Sequence, residues 1–109
     1  MIDFDALIDT IKQQIGSLAE ANWSSYKDAV IQDSNEFLQT SKDRLKKWTE
    51  ELALNQISKD DFEFLVKGLR ELAKMEALKR AGITLIELDK LRSSILNIII
   101  GSTLDMVIK

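Results

Sequence analysis

No proline interrupts this chain of 109 residues, and only four glycines occur in it. Proline and glycine are the strongest helix breakers, and average usage gives roughly 5 prolines and 8 glycines in this length. Leu, Ile, Val and Phe make up about a third of the residues, yet only three are Val, which favours strands. The sequence therefore predicts an all-α fold in a single domain over residues 1–109.

The missing residue types also exclude several kinds of site. There is no Cys and no His, so a disulfide, a thiolate or imidazole metal site and a Ser-His-Asp triad are excluded. The acidic N-terminus does not resemble a signal peptide. The longest uncharged stretch, residues 93–104, is shorter than the ~20 residues of a membrane span. We expect a cytoplasmic protein without a cofactor or metal, and the net charge of -3 does not favour nucleic acid as a partner.

Capping signals in the C-terminal half predict two helices joined by a short turn. Ser58 is followed three residues later by an aspartate, the spacing of a capping box, which predicts a helix over residues 59–81. Gly82 can adopt the left-handed conformation that ends helices. Thr84 is followed at the same spacing by a glutamate and predicts a final helix over residues 85–107. With so short a connection, the two helices should form an antiparallel hairpin.

The N-terminal half carries an apolar repeat of eleven residues. Eleven residues span three turns, so the repeat marks one face of a helix. The lack of strong stop signals predicts one continuous helix over about residues 3–55, with the polar residues 22–25 as the place for a kink. Asp33 and Glu36 could instead cap a new helix, so a break at residues 32–35, giving four helices, is the alternative. Two rows carry the repeat: Phe4, Ile15, Tyr26, Phe37 and Trp48, and Ile8, Ala19, Val30, Ser41 and Leu52.

A long helix plus the C-terminal hairpin gives three helices in a bundle-like fold with more apolar surface than one chain can cover. A helix of about 50 residues is about 75 Å long, whereas each hairpin helix is about 35 Å long. The end of the last helix is also apolar around its circumference, which requires burial on all sides. We therefore expect a homo-oligomer, most simply a two-fold dimer. The predicted interface residues are Phe4, Ile15, Tyr26, Phe37, Trp48, Ile95, Ile98, Ile99 and Leu104.

Charged and aromatic clusters have plain structural interpretations. Asp60, Asp61 and Glu63 offer the oxygen ligands that hard cations prefer, but carboxylates at a helix start also complement the helix dipole. The one basic run consists of Lys42, Arg44, Lys46 and Lys47. Acidic residues interrupt and follow it, which is typical of a solvated helix face. The aromatic side chains, among them Trp23, could stack on a ligand, but apolar rows at helical spacing are more typical of a core or an interface.

No motif in the sequence selects an enzyme class. The favoured function is a small, non-enzymatic helical interaction or assembly protein that packs against itself and against a larger protein partner. The alternative is reversible binding to a membrane surface or to lipid, because an eleven-residue repeat also suits helices that lie on lipid. The negative net charge, and a polar face that is not enriched in Lys, do not favour this alternative.

Overall fold

The apolar repeat of the N-terminal half forms two helices rather than one. The computed structural model describes residues 2–108. In it, α1 spans Phe4–Asn22 and α2 spans Lys27–Ala53, and a 3₁₀ turn at Ser24–Tyr26 joins them. The two helices are antiparallel, because residues from the start of α1 and from the end of α2 line the same groove. The prediction of one continuous helix over residues 3–55 is therefore wrong.

The break falls at the polar residues 22–25, whereas residues 32–35 continue α2 as regular helix. Trp23 leaves the helical conformation, with φ of -134° and ψ of 44°. Folding back at this point lets α1 and α2 bury each other's apolar faces, so that Ile15 and Phe37 both lie inside the core. The eleven-residue repeat occurs on both sides of the turn because α1 and α2 each present an apolar face to the other.

The helix predicted over residues 59–81 begins as expected but does not continue. α3 spans Lys59–Lys67, and Ser58 and the aspartate three residues later exchange the two hydrogen bonds of a capping box, at 3.0 and 3.1 Å. The chain then forms a 3₁₀ turn over Gly68–Leu72 and a short helix, α4, over Glu76–Arg80. Side chains of α2 and of the last helix take over backbone hydrogen bonds that would otherwise continue the helix.

The last helix, α5, spans Leu85–Val107, as predicted. Gly82 has φ of 89°, and its amide and the next one donate to carbonyls of α4, which is the Schellman ending of a helix. The Thr84 hydroxyl caps α5 by accepting a hydrogen bond of 3.2 Å from the amide three residues later. Lys59 at the start of α3 and Leu104 near the end of α5 line one groove, so α3 and α5 are antiparallel, although a 3₁₀ turn and α4 stand where the hairpin prediction had one continuous helix.

All five helices contribute side chains to one hydrophobic core. α-Helices and 3₁₀ turns together make up 85% of the described residues 2–108, which confirms the all-α, bundle-like prediction. The Cα radius of gyration is 13.8 Å, close to the about 13 Å expected of a compact chain of this length. The apolar α5 is covered within the chain, because α1, α2 and α3 all pack on it. Among the described residues, no helix combines the length and the apolar character needed to cross a membrane.

Candidate functional site

Most of the residues predicted to form an interface lie in the core of the single chain. The buried ones are Phe4, Ile15, Phe37, Ile95 and Ile99. The half-buried ones, which pack against the same core, are Tyr26, Trp48, Ile98 and Leu104. The fold-back of α1 on α2 covers the apolar stripe, so no second copy is needed to bury it. A homo-oligomer would have to form mainly through side chains outside this set.

Large apolar side chains remain exposed at both ends of the bundle after folding. Leu54, at the end of α2, is 67% exposed, and Leu85, at the start of α5, is 75% exposed. The interface predicted from the sequence contains neither Leu54 nor Leu85. Helical periodicity fails at such positions because a terminal residue lacks neighbouring turns on one side. The exposed set consists of Leu54, Phe64, Leu85, Ile86 and Ile108.

A groove of about 670 Å³ lies beside Leu54, where the start of α1 meets the end of α2. Its apolar lining comes from both helices, and charged side chains of both signs surround that lining. We refer to it as the terminal groove. It is lined by Ile2, Asp3, Phe4, Asp5, Lys42, Lys46, Glu50, Ala53 and Leu54.

Local capping positions the side chains of the terminal groove. The Asp3 carboxylate accepts a hydrogen bond of 3.1 Å from the amide three residues later and so caps α1. At the end of α2, Asn55 has φ of 59°, and the Gln56 amide donates to the Glu51 carbonyl at 2.8 Å, as in a Schellman motif. This turn leads the chain away from the helix and leaves the Leu54 side chain uncovered.

The predicted basic run is exposed along α2. Within residues 2–108, none of its four cations forms a salt bridge. Lys42 and Lys46, one helical turn apart, reach the terminal groove. Asp5 and Glu50 line the same groove, so its rim carries cations and carboxylates together.

Trp23 and the acidic cluster have structural partners. The half-buried Trp23 donates its indole N–H to the Glu87 carboxylate at 3.2 Å, which links the end of α1 to the start of α5. Asp61 completes the capping box of α3, in line with its interpretation as part of a helix start. In the part of the chain that the structure describes, no three acidic side chains are grouped so as to hold a metal ion.

An exposed ion pair ties α1 to α2 across the turn between them. Lys27 Nζ lies 2.8 Å from Glu20 Oε1. The hydrogen bond from Lys27, and then its charge, lower the pKa of the Glu20 carboxyl. The same hydrogen bond and the Glu20 charge raise the pKa of Lys27. The pair therefore favours the antiparallel arrangement of the two helices wherever both groups are ionised.

Comparison with known proteins identifies no relative of this chain. No family model matches it, and neither the curated proteins nor the solved structures include a significant match. The surface that the fold presents is therefore the basis for a functional proposal, and the terminal groove combines an apolar lining with the exposed Leu54.

Proposed function

We propose that this chain is a non-enzymatic interaction protein that works in the cytoplasm and forms a homodimer through the terminal groove. The observation that carries the proposal is the exposed Leu54 beside an apolar recess. In a two-fold dimer, the Leu54 side chain of each copy enters the groove of the other, because such an interface uses the same patch twice. Phe4 and Ala53 supply apolar contacts for the entering side chain.

The charges on the rim support a second copy as the occupant. A two-fold interface brings one patch against itself, so a rim of a single sign would repel its partner. Lys42 and Lys46 share the rim with Asp5 and Glu50, and each copy can place its lysines opposite the carboxylates of the other. An anionic membrane surface would instead favour a predominantly basic rim.

Size-exclusion chromatography with light scattering tests the proposal. We expect the wild type to approach twice its subunit mass of 12.4 kDa at micromolar concentration. Leu54→Lys should give a monomer, because it places a charge in the apolar contact. Burying a Leu side chain contributes about 1.5–3 kcal/mol, and two copies lose it, so Kd should rise roughly a hundredfold or more.

Leu85→Lys is the matched control, since Leu85 is equally apolar, similarly exposed and at the other end of the bundle. This variant should remain dimeric. A wild type that is monomeric at every concentration would overturn the proposal. A dimer that survives Leu54→Lys would show that another surface forms the interface. If the wild type floats with anionic vesicles and Leu54→Lys does not, the groove serves lipid binding instead.

A further inference from the structure

Residues 69–80 form a broken helix although their sequence favours a continuous one. All twelve are Leu, Arg, Glu, Ala, Lys or Met, which are residue types of high helix propensity. The structure nevertheless contains the 3₁₀ turn Gly68–Leu72. Met75 is left-handed, with φ of 56° and ψ of 47°, a conformation that residues other than glycine adopt at a cost. Local sequence preference and tertiary structure therefore conflict in this segment.

Among the hydrogen bonds of a continuous helix that are missing here, two have a new partner at both ends. In an α-helix, the amides of Ala77 and Leu78 would donate to the carbonyls of residues 73–74. Instead, the two amides donate to the Asp33 carboxylate, at 3.0 and 2.8 Å. The two carbonyls accept hydrogen bonds from the Arg92 guanidinium, at 2.7 and 3.4 Å. Asp33 and Arg92 thus replace these two helical bonds.

The two replacing side chains belong to different helices. Asp33 lies on α2 and is only 3% exposed, whereas Arg92 lies on α5 and also contacts the Asp89 carboxylate at 3.4 Å. Met75 and Leu78 are buried and hold the segment against the core. The bent conformation is therefore maintained by tertiary contacts alone, against the preference of its own sequence.

We propose that residues 73–78 form a hinge with two states, the bent state and a straight state in which one helix runs over residues 59–81. These two helical hydrogen bonds form again in the straight state, so the four backbone groups that they join are paired in both states. Straightening also relieves the strain at Met75. Strained backbone that tertiary contacts hold in place is typical of switch regions, and two packings of one sequence can differ little in free energy.

Straightening would change the surface of the bundle near the start of α2. Leu78 would leave the core, and the part of α2 against which α4 packs would be uncovered. This surface is separate from the terminal groove, so the hinge does not depend on the proposed dimer. Exposure of a second apolar surface would then depend on whether the hinge is bent or straight.

Backbone NMR tests the hinge, because chemical shifts distinguish helical from left-handed residues one by one. In the wild type, relaxation dispersion should detect exchange confined to residues 68–81, with helical minor-state shifts at Met75. The double variant Asp33→Ala, Arg92→Ala removes both replacing side chains. It should convert the straight state from a minor population, ~0.1–10%, into the major one, and Met75 should then have a helical shift.

The double variant Asp43→Ala, Lys90→Ala is the matched control, since it removes one exposed acid from α2 and one exposed base from α5. It should leave Met75 left-handed. If Asp33→Ala, Arg92→Ala also leaves Met75 left-handed, or gives the segment random-coil shifts, the hinge proposal is overturned. If that variant does not fold, relaxation dispersion of the wild type tests the hinge instead. Absence of exchange in the segment, or a minor state with unfolded shifts, would then overturn the proposal.

Discussion

Ser41 lies on the face of α2 that packs into the core, and its side chain is fully buried. Its hydroxyl has no hydrogen-bond partner among residues 2–108. In the eleven-residue repeat, the positions before and after it are Val30 and Leu52, both apolar and both buried. We predict that Ser41→Ala makes the protein more stable, although it removes atoms from the core.

The magnitude follows from three contributions. A buried polar group without a partner costs about 1–3 kcal/mol relative to its hydrated state in the unfolded chain. Alanine has a higher helix propensity than serine by roughly 0.5 kcal/mol. The lost contacts of the oxygen oppose these gains by at most about 0.8 kcal/mol, if the atom counts as one methylene group. The free energy of unfolding should therefore rise by about 1–2.5 kcal/mol.

Urea unfolding followed by circular dichroism measures this change. The midpoint should move to higher urea while the slope m stays unchanged, because the surface exposed on unfolding is nearly the same. The thermal midpoint should rise by roughly 4 °C or more in a chain of this size. Wild type and variants are compared at one protein concentration, so that association does not contribute differently to the measured stability.

Two control variants separate the contributions. Ser17→Ala, at an exposed position of α1, changes helix propensity alone and should gain no more than roughly 0.5 kcal/mol. Thr103→Val removes a buried hydroxyl that donates to the Ile99 carbonyl at 2.8 Å, and it should lose about 0.5–1.5 kcal/mol. If Ser41→Ala gains no more than Ser17→Ala, or loses stability as Thr103→Val does, the hydroxyl is satisfied in the core and the reasoning is refuted.

Three further changes test the packing, the turn and the ion pair. Phe62→Ala should lower the free energy of unfolding by about 3–5 kcal/mol, because Phe62 is fully buried. Phe64→Ala should change it by less than about 0.5 kcal/mol, because Phe64 is 78% exposed; equal losses in urea would contradict the packing of α3. Asn55→Val should lower it by about 1–2 kcal/mol, since Asn55 is left-handed, whereas Asn55→Gly should cost nothing in a thermal melt. Glu20→Gln should lower the thermal midpoint by its full amount above the pKa of an unfolded-chain glutamate and by progressively less below it. The bond with Lys27 lowers the folded-state pKa, so its stabilisation is lost as pH falls through that pKa. A difference that persists in acid would contradict the ion pair.

The C-terminal half shows which features the sequence makes predictable. Ser58, Gly82 and Thr84 act on backbone groups within three to five residues of themselves. All the residues that form such a capping signal lie within a few positions of one another in the sequence. The start of α3 and the bounds of α5 could therefore be predicted without knowledge of the rest of the fold. Residues 85–107 form a helix as predicted for the same reason.

The apolar repeat shows where prediction from periodicity ends. It identified the buried face correctly, since Ile15 and Phe37 are core residues. Periodicity states which face is buried but not which element covers it. The same apolar pattern is therefore expected whether the face is covered by a second copy or by another helix of the same chain. The deciding information was the polar stretch 22–25, a weak signal because it contains neither proline nor glycine.

The break after α3 could not be predicted from any local window, because its cause lies elsewhere in the chain. Within the segment, every residue favours a helix. In the sequence, Asp33 looks like the cap of a new helix that begins there. In the structure it binds amides of α4, the nearer of which is 44 residues further along the chain. Arg92 reads as one more surface cation of α5 and actually binds the carbonyls that α4 leaves free. A change at either of these two remote side chains can alter the conformation of the segment. The proposed hinge, rather than the locally determined helix α5, is therefore the place to look for regulation.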